Sequence, residues 1–206
     1  MTEKPRIRNP RGSGELLRDE ILRAAISLVD ETDDATSLTL RGIARRAGIS
    51  APSIYSHFDD LPALTASVLQ LSFRQLADTV NAAMEGEASP TAKLLAAGRS
   101  YVQFGWDHKA RYRLMFAESG YADNAVETFT LVARSLEDCV EAGVSTSKDA
   151  RTDTWIIWAA LHGVATLDKP SRADYLRLGT LDRATMLETI IRRLAQLTDG
   201  HGTSTA

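Results

Sequence analysis

Apolar residues recur at three- and four-residue steps along almost the whole chain, which is the spacing of one buried face on an α-helix. Leu17, Ile21, Ala24, Ala25, Leu28 and Val29 mark the first such face, and it predicts a helix of about five turns. The stretch ETDDATS then breaks the pattern. Thr39 is placed to cap a short second helix, Leu40–Ala47, with Leu40, Ile43, Ala44 and Ala47 turned inward and Arg41, Arg45 and Arg46 outward. Gly48 supplies a turn. Ser50 is placed to cap a third helix with Pro52 in its first turn, and Asp59 or Asp60 to cap a fourth that runs past Leu64, Val68, Leu71 and Leu76 toward Met84. After the break EGEASP, Ser89 and Pro90 open the next helix. Further helices are predicted over 90–105, 108–117, 122–143, 148–168 and 181–198. No segment alternates apolar and polar residues long enough to predict a strand, and no internal repeat is evident. The expected fold class is all-α.

Composition adjusts this picture in two ways. A chain of 206 residues with 44% hydrophobic content can hold a real core. Its longest strongly apolar run, Trp155 to Leu161, falls far short of the roughly 20 residues that span a bilayer. The N-terminal stretch MTEKPRIRNPRG has no apolar signal segment, so a cytoplasmic location without membrane attachment is expected. Cys139 is the single cysteine, which excludes an internal disulfide and any multi-cysteine metal site. No metal or cofactor is expected, since His57, His108, His162 and His201 show no paired ligand spacing.

Charge is unevenly placed. The formal net charge is -3, which argues against a nonspecific polyanion binder. Yet Lys4, Arg6, Arg8, Arg11 and Arg18 face only Glu3 and Glu15 in the first eighteen residues, and LRGIARRAGISAPSIYSHF, residues 40–58, contains no acid at all. Two basic segments at one end of an acidic chain predict a phosphate-facing surface there. Two short helices joined by a glycine-containing turn form a helix-turn-helix, whose second helix can enter the DNA major groove. Ile54 and Phe58 supply the apolar underside of that helix, with Ile49 beneath the turn. Ser53, Ser56 and His57 remain outside, with Tyr55 at the edge, and Ala51 and Pro52 can make apolar contact with a thymine methyl.

The stretch TLRGIARRAGISAPSIYSHFDD resembles the signature of the TetR family of bacterial transcription regulators, in its Thr start, its Ile-Ala pair, its Ala-Gly turn and its Tyr-x-x-Phe end. That resemblance implies a three-helix DNA-binding head followed by a larger helical body for ligand binding and dimerisation. It places Thr39, Ser53 and Tyr55 at phosphate-contacting positions, and Arg41, Ala51, Pro52, Ser56 and His57 near base edges. Arg41 can bond either a guanine or a phosphate. Where the family often has a lysine at the start of the fourth helix, this chain has Leu61 after Asp59 and Asp60. The basic arm, through Lys4, Arg6, Arg8 and Arg11, is expected to take over that contact. The organisation that follows is a flexible arm over 1–13, the head over 14–60, the body over 61–199 and a disordered tail over 200–206.

Residues 100–163 hold most of the large aromatic side chains, interleaved with a few polar tips. That mixture of apolar walls and sparse polar anchors predicts a ligand pocket built from Tyr101, Phe104, His108, Arg111, Met115, Phe116, Phe129, Trp155, Trp158 and His162. Trp158 and His162 share one helix face, with Gly163 beside them expected to allow a close helix approach. WAALHG resembles the Trp-His-Gly signature of one subgroup of TetR-like C-terminal domains. The helix over 148–168 is apolar almost all round, so it must be buried on more than one side. Leu161, Ala165, Leu187, Ile190, Ile191 and Leu194 are expected to form a four-helix homodimer interface, which would set two recognition helices on a pseudo-palindromic operator. The reading is a repressor released from double-stranded operator DNA by a small-molecule effector. Three others stand beside it: a helical enzyme acting on an aromatic or acyl substrate, a ligand-independent regulator, or an activator. Against the enzyme, the sequence offers no trio of nucleophile, base and orienting group.

Overall fold

The computed structural model of the protein describes residues 13–32, 38–117, 121–167 and 183–198. Among the described residues the chain forms nine helices: α1 (Ser13–Thr32), α2 (Leu40–Ala47), α3 (Ala51–Ile54), α4 (Leu61–Glu85), α5 (Pro90–Asp107), α6 (Lys109–Phe116), α7 (Tyr121–Glu141), α8 (Ala150–Thr166) and α9 (Arg183–Leu194). None of them is long and apolar enough to cross a membrane. The chain divides into two compact units, Met1–Gln70 and Leu71–Ala206, and residues 61–70 of α4 group with the first.

The first unit closes on one apolar cluster. Ile21, Ala25 and Val29 of α1, Ile43 and Ala44 of α2, Ile54, Phe58, Leu64 and Val68 are all buried. Local chemistry fixes where its helices begin and stop. Thr39 Oγ1 accepts from the Gly42 N–H at 3.1 Å, so the predicted cap of α2 forms. Gly48 ends α2 in the left-handed conformation at φ 66°, and its N–H donates to the carbonyls of Ala44 and Arg45. Asp60, not Asp59, caps α4, accepting from the Ala63 N–H at 2.7 Å. Ser50 differs from expectation: its side chain makes no capping bond and pairs instead with Ser53 Oγ at 2.7 Å. The regular part of α3 is accordingly brief, and residues 55–57 continue as a turn tied back to the Ile54 carbonyl. Arg18 braces this corner, its guanidinium 4.9 Å from the Phe58 ring and its Nη2 donating to Ser67 Oγ.

In the second unit α5 packs against α7, α8 and α9. Two glycines on α5 make the approach possible. A methyl group at Gly98 would run into Ile191 Cδ1 and reach Leu161 Cδ1, and one at Gly105 would lie 2.9 Å from Ala165 Cβ. The same packing bears on the residues expected at a subunit interface. Leu161, Ala165, Leu187 and Ile191 are buried within the chain's own body, and only Ile190 and Leu194 keep partial exposure. At Gly163, by contrast, an added methyl would meet nothing within 4 Å among the described residues.

The last helix ends at Leu194, short of the expected 198. The chain turns at Gln196, with φ 49°, and runs antiparallel to the α7–α8 connection, with Thr146 N–H to Gln196 O at 3.1 Å and Thr198 N–H to Val144 O at 3.0 Å. Buried Ser145 donates to the Ala195 carbonyl at 2.7 Å, while Ser147 Oγ and Gln196 Nε2 both donate to Asp153 Oδ2. These bonds satisfy backbone groups that one further helical turn would have taken.

Candidate nucleic-acid interface and ligand site

The outer surface of α2 and α3 follows from their burial pattern. With Ile43, Ala44, Ile54 and Phe58 inward, Arg41, Arg45, Pro52, Ser56 and Tyr55 stand exposed, Tyr55 at 58%. Ala51, Ser53 and His57 are half-buried beside them. Thr39 is exposed, and its oxygen accepts the α2 capping bond while its own proton stays available to donate outward. Arg46 differs from its neighbours: it forms an ion pair with Glu31 of α1. That pair binds α2 to α1, while the Arg46 side chain itself stays 42% exposed. Lys4, Arg6, Arg8 and Arg11 of the arm lie outside the described residues.

The residues expected to line one pocket fall into two adjoining places in the body. The first is a closed polar cluster in the core. Trp158 Nε1 donates to the Tyr101 hydroxyl at 2.7 Å, the Tyr112 hydroxyl donates to the same oxygen at 2.8 Å, and Tyr112 bonds His162 Nδ1 at 2.8 Å. With the Tyr112 proton directed to Tyr101, its oxygen accepts from His162, which requires the Nδ1–H form of the imidazole. Burial holds His162 below its ordinary pKa and therefore neutral. Burial, then the neighbouring Tyr101, pushes Tyr112 far above the usual phenol value. Phe116 closes the cluster, its ring 4.7 Å from Tyr112 and 4.6 Å from His162. Phe104 and Met115 are core residues, and His108 rests on Phe104 at 4.8 Å. Arg111 is 4% exposed, donates from Nη1 to Gln75 Oε1 at 2.7 Å and lies 5.2 Å from the Phe104 ring.

The second place is a cleft of about 450 Å³ between α7 and α8. Its wall is an aromatic trio: Phe129 and Trp155 at 4.6 Å, Trp155 and Trp158 at 5.0 Å, Phe129 and Trp158 at 5.9 Å. Trp158 thus serves both places. Val126, Arg134 and Arg151 also line the cleft and were absent from the expected set. For Val126 and Arg134 the signal is present, because 126, 130, 133, 134 and 137 form a second face of α7 beside its buried one.

Among the described residues, no group of three or more His, Cys, Asp or Glu side chains is arranged to hold a metal ion. Cys139 is buried, and desolvation pushes its thiol up to about 11, which leaves it unreactive at neutral pH.

Comparison with known proteins follows the two units. Residues 21–64 match the family described as bacterial regulatory proteins, tetR family, and residues 94–194 match the Tetracyclin repressor-like C-terminal domain. An uncharacterized HTH-type transcriptional regulator of Mycobacterium tuberculosis is 26% identical over 88% of this chain and 81% of its own length. Among solved structures, a protein of unknown function from Rhodococcus sp. RHA1 superimposes with a TM-score of 0.72 at 27% identity, covering 94% of this chain and all of that one. A TetR-like transcriptional regulator from the same organism gives a TM-score of 0.60 at 21% identity, over 91% of this chain and 99% of that one. The helix-turn-helix, the helical body behind it and both family matches agree: the chain belongs to the TetR family of bacterial transcriptional regulators.

Proposed function

We propose that the protein is a homodimeric repressor that binds pseudo-palindromic operator DNA through α2 and α3 and is released when a small molecule binds its body. The observation that carries the DNA contact is the acid-free outer surface of α2 and α3, with Arg41, Arg45, Tyr55 and Ser56 exposed above a fully apolar underside. In this reading Thr39, Ser53 and Tyr55 hold phosphates, while Arg41, Ala51, Pro52, Ser56 and His57 face base edges. The arm residues Lys4, Arg6, Arg8 and Arg11 add phosphate contacts. The body binds its effector without turning it over.

In this reading the dimer contact extends from the α8 and α9 stripe onto the outer surface of α8. Ile156 is 47% exposed, Ala159 is exposed, and Gly163 has open space where a methyl would stand. Such a surface of small and apolar residues suits close packing of a second helix. Ile190 and Leu194 of α9 are its expected neighbours.

The test is a gel-shift titration on DNA from the gene's own upstream region. Arg41→Ala and Tyr55→Ala should each weaken binding by about tenfold or more, the scale of losing one good base or phosphate contact. Sedimentation should show the dimer intact. Unchanged affinity in both variants would remove α2 and α3 as the DNA surface.

A further inference from the structure

Trp155 on α8 is half exposed, as is Ile156 beside it. Its ring is not isolated, because Phe129 and Trp158 stack beside it along the cleft between α7 and α8. A volume of about 450 Å³ falls within the range of small-ligand sites. The charges on its rim are sorted by position. Arg134 and Glu137 lie toward the C-terminal end of α7, where Arg151 of the first turn of α8 joins them; Asp123 stands at the opposite end. One end therefore carries an excess of positive charge next to an aromatic wall.

We infer that this cleft binds a flat aromatic carboxylate, its rings against Phe129, Trp155 and Trp158 and its carboxylate toward Arg134 and Arg151. Stacking on aromatic faces supplies the shape preference, and the guanidinium groups supply the sign. The inference rests on the reading of the body as a ligand sensor and gives that sensor a location and a ligand class. Trp158 gives the site a route inward. Its ring lines the cleft while its Nε1 donates to Tyr101, so an occupant pressing on Trp158 bears directly on the Tyr101–Tyr112–His162 bonds of the core.

The test is isothermal titration calorimetry on the intact protein with 2-naphthoate and, as the uncharged comparison, 2-naphthalenemethanol. Naphthoate should bind saturably. Trp155→Ala should weaken it about tenfold, as should the double variant Arg134→Gln/Arg151→Gln, while the double variant leaves the alcohol unchanged. Absence of saturable naphthoate binding, or binding indifferent to both variants, overturns the site. So does a Trp155→Ala chain that dissociates to monomers when the wild type takes up no naphthoate, which would make the cleft a subunit contact. Calorimetry needs no DNA, so the site and operator release are judged separately. If naphthoate binds through these residues yet leaves operator affinity unchanged, the site is supported and release by this ligand fails. If another compound releases operator from wild type and Trp155→Ala alike while naphthoate does not bind, release stands and the cleft assignment falls.

Discussion

The head and the body use the same helical periodicity and differ in what decides the fate of a side chain. In the head, α2 and α3 are short and have one apolar face, so side chains off that face reach solvent. Arg41, Arg45 and Tyr55 are open for that reason alone. In the body, several helices surround α5, and a residue can be apolar on every side and still meet its own chain. Gly98 and Gly105 decide the outcome there, by letting α8 and α9 come close enough to bury Leu161, Ala165 and Ile191. A surface is readable where one face is buried; it is not readable where the partner of each face must first be known.

Substitutions can sharpen this contrast, and the largest effect should come from the head's single apolar cluster. Ile54 is fully buried under α3, and Ile54→Ala should destabilise the unit by about 2–5 kcal/mol. Amide exchange in α2 would report it, and retained protection would show that the cluster is not the head's core. The body's counterpart is Tyr112→Phe. It removes the hydroxyl shared by Tyr101 and His162, and should lower stability in denaturant titration by about 1–3 kcal/mol by leaving buried polar atoms unpaired. No loss would mean that the bonds contribute little to the fold.

These same residues mark how much was legible beforehand. Periodicity and caps located every helix, and α2 was placed to the residue because Thr39 and Gly48 bracket it locally. The head's outward residues followed. The fine chemistry did not: Arg46 faces outward as its position predicts, yet it pairs with Glu31, fifteen positions earlier, which no local spacing marks. In the body, the aromatic residues fall in two places, the core bonds and the cleft, an arrangement that spacing alone does not give. Tyr112 lies at the centre of the core bonds, and no spacing rule marks one tyrosine in a cluster as the bridging one. The end of α9 was overestimated because its stop depends on Ser145 and Val144, about fifty residues away in sequence.

Smaller effects separate two serine and threonine positions that look alike in sequence. Thr39→Ala should cost about 1 kcal/mol, because its oxygen caps α2. Ser50→Ala, which breaks only an exposed bond to Ser53, should stay within about 0.5 kcal/mol. Equal losses in thermal unfolding would erase the distinction. The smallest effect concerns pH. The His162 pKa lies below its ordinary value of 6.5 in the folded body, so the unfolded chain takes up a proton that the folded chain resists. Its contribution is complete above about pH 6.5 and declines as pH falls from there through the lower folded value. His162→Gln should flatten that part of the stability profile, and an unchanged slope would assign it to other groups.

The central claim is that the head reads a two-fold symmetric DNA site through the outer surface of α2 and α3. Selection of binding sites from random duplex DNA with the intact protein tests it most directly. The account predicts an inverted repeat with half-sites about one helical turn apart or a multiple of it, recovered by wild type and lost with Arg41→Ala. Recovery of no common sequence, or of the same repeat by the Arg41→Ala protein at equal affinity, would contradict it.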